Sequence, residues 1–505
     1  MPPADPDQPR TTAAPAAPPD SRSGLDAATV RTIVFGIMLA MLLSALDQTI
    51  VATALPTIGR DLHSVESLSW VVTAYLLSAT AVTPLYGKLS DIYGRRTVLV
   101  TAIGIFVVGS IACALAQSMQ ALILARTVQG LGGGGLIALS QTIIADIMAP
   151  RERALWQAYF GMVFASANVF GAVLGGLFAQ YLHWSLVFWI NVPIGLAALA
   201  MTYRALALLP PLHRYHRLDV LGAALMAIAT VTLLLSLTWG GTRYAWNSPV
   251  VISLLASSLG FWVMFGLRIA TASEPFLPLT VLGNAVVRNS ALSAFFGMGT
   301  MIGLSIYVPV YLQTVMGLNS SQAGLGLIPL FGCGVIGATI SGRRMAYVEN
   351  YKRLPLAGLA VGSVALAVIA YNPGGLPLVA VASLLGVTGL ATGSLFPVST
   401  VALQNAVHPH QLGTATASLN FFRQLGSAIL VAGFGAILLG IAGRAGGRAA
   451  DVIVRAAGEQ QTALVTAFSW VFAAAAAGLA TAFLFLWMME QRPLRDRSHG
   501  DRAED

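Results

Sequence analysis

Fourteen long apolar stretches, joined by short polar or basic connections, leave few folds open to this 505-residue chain. They fall near residues 33–57, 68–87, 97–117, 121–146, 154–181, 186–208, 219–239, 249–269, 290–316, 322–342, 354–371, 376–400, 411–441 and 463–489. A helix needs about 20 apolar residues to cross the hydrocarbon core of a bilayer. Composition agrees: 56% of residues are hydrophobic and 10% charged, against about 25% charged in ordinary soluble domains. The expectation is an all-α integral membrane protein whose largest partner is the lipid bilayer.

The net charge of +8 raises the question of nucleic acid. The basic residues form no patch or groove-binding motif, so no nucleic-acid partner is expected; they lie in short loops and act as topology signals. With the N-terminus placed in the cytoplasm, 21 Lys and Arg fall inside and five outside (Arg60, Arg243, Arg444, Arg448, Arg455), while Arg126 and Arg423 remain within spans. Both termini are therefore expected in the cytoplasm of a multi-pass cell-membrane protein. Heavy use of Ala, Gly and Arg with only two lysines, Lys88 and Lys352, points to a bacterial source. The Pro- and Ala-rich start lacks a signal-peptide pattern, so the first span reads as an uncleaved signal anchor. Cys113 and Cys333 fall inside apolar spans and make no disulfide framework.

Six, two and six spans divide the chain into a disordered tail (1–30), a six-helix bundle (31–210), an inserted two-helix linker (211–285), a second bundle (286–490) and a C-terminal tail (491–505). Transporters are commonly built from such repeats. "GKLSDIYGRR" after the second span has a faint echo in "GRRMAYVENYKR" later on.

The string Gly87-Lys88-Leu89-Ser90-Asp91-Ile92-Tyr93-Gly94-Arg95-Arg96 is the most specific in the chain. Its glycines permit a tight turn, and Asp91 can pair with a helix N-terminus. Taken alone, the arginines fit a basic cytoplasmic loop. The whole string resembles the signature loop of the major facilitator superfamily, which lies between the second and third helices. That resemblance implies a cytoplasmic gating network of Gly87, Asp91, Gly94, Arg95 and Arg96, with Asp146 as the acid at the end of the fourth helix. Further strings are similar to those of its fourteen-span drug:proton antiporters: "LDQTIVATALPTI" (Leu46–Ile58), "RTVQG" (Arg126–Gly130), "WSLVFWINVPIG" (Trp184–Gly195) and "NFFRQLG" (Asn420–Gly426). Two departures stand out. Ser185 replaces the usual Arg, and Gly171-Ala172-Val173-Leu174-Gly175-Gly176 has Ala172 where the antiporter motif carries proline. Gly130, Gly171, Gly175 and Gly176 still favour close helix packing.

Asp47 is the one acid deep within a span, where a charge costs roughly 2.5–3.5 kcal/mol on insertion scales. Arg126 is its expected partner: along their helices the two lie ~16 and ~7.5 Å from the outer ends, a gap that a long Arg side chain can bridge. Burial favours the neutral acid and a nearby cation favours the carboxylate. The pair can therefore carry a coupling proton or be a permanent packing element. Arg423 is a second buried cation with no acid at similar depth; it can recognise an anionic group or hydrogen-bond helix carbonyls. Trp70, Tyr75, Tyr307, Tyr311 and Gln313 are candidates, with Arg423, to line a substrate cavity.

"QGLGGGGLIAL" (Gln129–Leu139) lacks the Lys-Ser/Thr ending of a phosphate loop and sits in an apolar span, so no ATP module is expected. His183, His213, His216, His408 and His410 form no metal or triad pattern, so neither an enzyme nor a cofactor is expected. The expected function, implied by the resemblance, is proton-driven export of small lipophilic or amphipathic compounds. The alternative is a transporter of a specific metabolite, siderophore, antibiotic or lipid, in either direction.

Overall fold

The computed structural model describes residues 27–64, 67–208, 218–277, 279–442 and 459–494. The expected tails, the 209–217 loop with His213 and His216, and the 443–458 loop lie outside the described residues. Those described are almost wholly helical: α1 (Ala27–Asp61), α2 (Leu68–Tyr93), α3 (Arg95–Ala114), α4 (Met119–Ile147), α5 (Pro150–Tyr181), α6 (Leu186–Trp189), α7 (Asn191–Ala205), α8 (Val220–Trp239), α9 (Pro249–Thr271), α10 (Leu279–Leu282), α11 (Ala285–Thr314), α12 (Ser320–Leu325), α13 (Ile328–Tyr347), α14 (Arg353–Tyr371), α15 (Leu378–Asn405), α16 (Leu412–Ala442) and α17 (Glu459–Met488).

Among the described residues, thirteen helices are long and apolar enough to cross a membrane. The remaining expected span, the fifth (154–181), coincides with the 32-residue helix α5. The sixth expected span is broken at Ile190 into α6 and α7. Pro193 stands in the first turn of α7, where its missing N–H costs no helical hydrogen bond.

Local chemistry sets the helix boundaries. Ser118, Asp219 and Ser248 accept from the backbone N–H three residues on, the usual N-cap bond. Asn319 and Gln322 close a reciprocal capping box. Gly94, at φ 87°, is the single residue between α2 and α3, a conformation that a side chain would oppose.

Buried apolar residues form separate cores. One draws chiefly on α1–α5 and α7, through Ile37, Met41, Phe106 and Leu139. The largest draws almost wholly on α11–α17, through Leu304, Leu366, Leu395 and Phe472. The outer surface carries large apolar side chains such as Leu124, Val364, Trp470 and Trp487, as hydrocarbon contact requires. The glycine run of α4 serves close approach: a Cβ at Gly132 would lie 2.4 Å from Phe106 N, and one at Gly134 2.3 Å from Ala79 O.

The α8–α9 hairpin lies beside the α2–α16 seam. Trp239 of α8 meets Trp70 edge-on at 5.7 Å. Trp262 of α9 meets Phe421 of α16 at 6.3 Å. At one end of the hairpin Asp219 accepts from Arg268 Nε at 3.0 Å.

Candidate functional site: a buried charge centre and an interhelical latch

Five helices converge on Asp47, which is 0% exposed. Arg126 Nη1 donates to its Oδ2 at 2.6 Å. Its Oδ1 accepts from Gln129 Nε2 at 2.9 Å and from Asn191 Nδ2 at 3.0 Å. Both carboxylate oxygens are thus held. Arg126 spends Nε on the Val71 carbonyl and shares Nη1 with Gln129 Oε1, while Gln129 also donates to Ser110 Oγ. The Tyr75 ring lies 4.4 Å beneath the guanidinium, within cation–π range, and its hydroxyl is 3.4 Å from Ser44 Oγ. Asp47 and Arg126 are 79 residues apart in the chain yet in direct contact. A buried pair of this kind offsets its desolvation only with good geometry and further hydrogen bonds, and the Gln129 and Asn191 amides supply them.

The second cluster sits at the end bearing the Gly87–Arg96 loop. Arg95 bridges two acids, donating from Nη1 to Asp91 at 2.5 Å and from Nε to Asp146 at 2.7 Å. Asp91 then reaches across to the start of α16. Its carboxylate accepts from Gly413 N at 3.0 Å, Thr414 N at 2.8 Å and Thr414 Oγ1 at 2.7 Å. A carboxylate there meets unpaired N–H groups and the positive end of the helix dipole. Contact this close needs bare backbone on both sides: a Cβ on Gly87 would come within 2.4 Å of Ala417 Cβ and 2.5 Å of Gly413 O. Arg96 turns away from this cluster and lies 4.2 Å over the Tyr203 ring.

A buried polar layer extends the latch. Asn420 Nδ2 donates to Gln141 Oε1 at 2.9 Å, and Gln404 Nε2 to the Gln141 carbonyl at 3.3 Å. Arg153 Nη1 donates to Gln404 Oε1 at 3.3 Å. Gln424 accepts from Thr80 at 2.8 Å and donates to Thr83 at 3.3 Å.

The remaining candidates are distributed differently. Arg423, 5% exposed, donates from Nη2 to Ser399 Oγ at 3.0 Å and Thr400 Oγ1 at 2.8 Å, over a Phe396 ring 4.3 Å away. Tyr311 is buried against Phe468 and Phe472, its hydroxyl donating to Pro373 O at 2.5 Å. Tyr307 donates to Val431 O at 3.0 Å, and Gln313 is exposed at the α11 end. Gly130, Gly171 and Gly175 each face a neighbouring helix, where a Cβ would come within 2.0 Å of Ser78 Oγ, 1.9 Å of Thr49 Oγ1 and 2.1 Å of Thr53 Oγ1. Gly176 is different: a Cβ there meets nothing within 4 Å, because one residue on turns it about 100° round the helix. Through Ala172 the α5 backbone is continuous helix.

Sequence reasoning missed Asn191, Ser110, Thr414, Gln141, Arg153 and Gln404. Asn191 stood inside "WSLVFWINVPIG", and its polar side chain amid apolar neighbours was the available signal. Thr414 and Gln141 carried none, since their partners come from distant helices.

Residues 37–431 match the model of the Major Facilitator Superfamily, and the chain belongs to that superfamily. A superfamily transporter of Mycobacterium tuberculosis is 35% identical over 81% of this chain, and the match spans 60% of that relative's length. The multidrug transporter protein MdtP of Bacillus subtilis is 33% identical over 80% of this chain and 75% of its own. Among solved structures, the proton:xylose symporter XylE aligns with a TM-score of 0.62 at 15% identity, covering 94% of this chain and 98% of that one. At that identity the likeness is of fold.

Proposed function

We propose that the protein exports small lipophilic or amphipathic compounds, driven by inward proton flow through alternating access. In this reading residues 31–210 and 286–490 are two six-helix bundles, α8 and α9 are the inserted pair, and the latch end faces the cytoplasm. The observation that carries it is the fully buried Asp47 held by Arg126, Gln129 and Asn191. Protonating Asp47 removes the charge that Arg126 neutralises and frees Arg126 and the two amides for other partners. Such a change shifts the conformational balance only if the two states bind the proton differently. Asp91 bound to the start of α16 supports reading this conformation as closed to the cytoplasm. The names of curated relatives, among them MdtP and multidrug resistance protein 3 of Bacillus subtilis, favour drug-like cargo.

The test is reconstituted protein under an imposed pH gradient. Wild type should concentrate a lipophilic dye against its gradient, and Asp47→Asn should only equilibrate it. Accumulation by Asp47→Asn equal to wild type would sink the coupling role. A second reading, a transporter of one metabolite, siderophore, antibiotic or lipid, draws on Ala172 in place of the antiporter proline. Everted vesicles with an acidified interior separate the two directions, since an exporter loads them.

A further inference from the structure

Arg423 is buried and, among the described residues, no carboxylate lies within ion-pair distance of it. Every other buried arginine is either ion-paired, as Arg95 and Arg126 are, or lies near an acid, as Arg153 does near Asp146. Arg423 uses Nη2 alone, on Ser399, Thr400 and the Phe396 carbonyl. Nε and Nη1 are buried with no hydrogen-bond acceptor. Ser399 Oγ and Thr400 Oγ1 donate to the Phe396 carbonyl at 3.1 and 2.9 Å and accept from Nη2 alone. One nitrogen therefore orients the guanidinium, and two stand ready with nothing to bind. Such groups are costly to bury unsatisfied, and a buried charge is normally paired.

Position supplies the second argument. One turn of α16 carries Asn420, Arg423 and Gln424. Asn420 bonds across to Gln141 of α4, and Gln424 to Thr80 and Thr83 of α2. Arg423's own partners, Phe396, Ser399 and Thr400, lie on α15, while Arg423 itself is one helix position away from the contacts by which α16 meets the first half of the chain. Under alternating access those are the surfaces that part. Half-buried Phe396 covers one face of the guanidinium, leaving the free edges for an acceptor with an apolar body.

We propose that Arg423 is the anion-recognising group of the transport path, taking the carboxylate or sulfonate of an amphiphilic acid. This rests on the export reading and narrows its cargo. Binding to purified full-length protein in neutral detergent tests it without requiring transport. Carboxyfluorescein is the anionic probe, read by fluorescence anisotropy, and ethidium is the cationic control. Arg423→Gln should weaken carboxyfluorescein binding roughly 10- to 100-fold, the worth of hydrogen bonds to a charged group, and leave ethidium binding in place. Arg423→Lys, which keeps a point charge but not the planar fork, should fall between. Competition by phosphatidylglycerol would assign the site to a lipid phosphate and overturn the cargo assignment, and its absence supports a soluble acid. No carboxyfluorescein binding by wild type, or equal binding by Arg423→Gln, overturns it. Failure of wild-type vesicles to move either dye would instead refute the export reading while the binding result stands by itself.

Discussion

Asp91→Asn isolates the latch. The wild-type carboxylate accepts four hydrogen bonds, one from Arg95 and three from Gly413 and Thr414, with its side chain 6% exposed. Asparagine keeps one acceptor oxygen and turns an NH2 group toward backbone N–H donors. At least one contact to α16 is lost and the rest become neutral. Hydrogen bonds to charged groups contribute about 1.5–3 kcal/mol and neutral ones about 0.5–1.5, and the helix-terminus charge contributes about 0.3–1 more. A net loss of ~3 kcal/mol follows, roughly a 100-fold shift away from the latched conformation. Arg95 keeps Asp146 at 2.7 Å, so α2–α4 should hold while α16 separates. The assay is double electron–electron resonance between spin labels at Tyr93 and His408, both exposed at the latch end, in protein whose free Cys113 and Cys333 have been replaced. Wild type should give one short distance, and Asp91→Asn a second, longer population of comparable size. An unchanged distribution in the variant would refute the claim that Asp91 holds the two ends together.

Gly87→Val should open the same end by steric means, since its Cβ would overlap Ala417 and Gly413; thiol labelling of a cysteine placed at Ser418 should become fast, and continued protection would count against the packing argument. Asn191→Leu removes one donor from Asp47 and should destabilise the fold by roughly 1.5–3 kcal/mol, read as a lower midpoint in thermal melting, whereas Asn191→Gln should recover part of it. Trp70→Ala breaks the Trp70–Trp239 contact, worth about 0.5–1.5 kcal/mol; protease should then cut the hairpin turn near Gly241 faster, with little change in the rest of the chain. Gly175→Leu should prevent α1 and α5 from seating, because Thr53 and the Ile50 carbonyl occupy that space, and should abolish recovery of folded protein, while Gly176→Leu should be tolerated.

Much of the architecture was legible before any coordinates. Among the described residues each long helix falls on an apolar run; of the network that the resemblance implied, Arg95 contacts Asp91 and Asp146, while Arg96 lies over Tyr203 instead. Asp47 with Arg126 followed from elimination, since each is a rare charge in an apolar span. The three contacts of Asp91 to the start of α16 were not legible: its partner Thr414 lies 323 residues away and carries no motif. Nor was the difference between Gly175 and Gly176, which depends on how α5 is rotated against α1.

The division has a physical origin. Hydrocarbon is a nearly uniform solvent, so whether a segment enters it depends on that segment's own composition and length, and the sequence alone determined the spans. The basic loop, the glycine spacing and the isolated charges were local in the same way. Which buried group meets which depends on the rotation and depth of whole helices, set by packing against several neighbours at once. Only the tertiary structure could decide that Asn191 completes the Asp47 shell, that Asp91 reaches α16, and that Arg423 keeps two nitrogens without an acceptor.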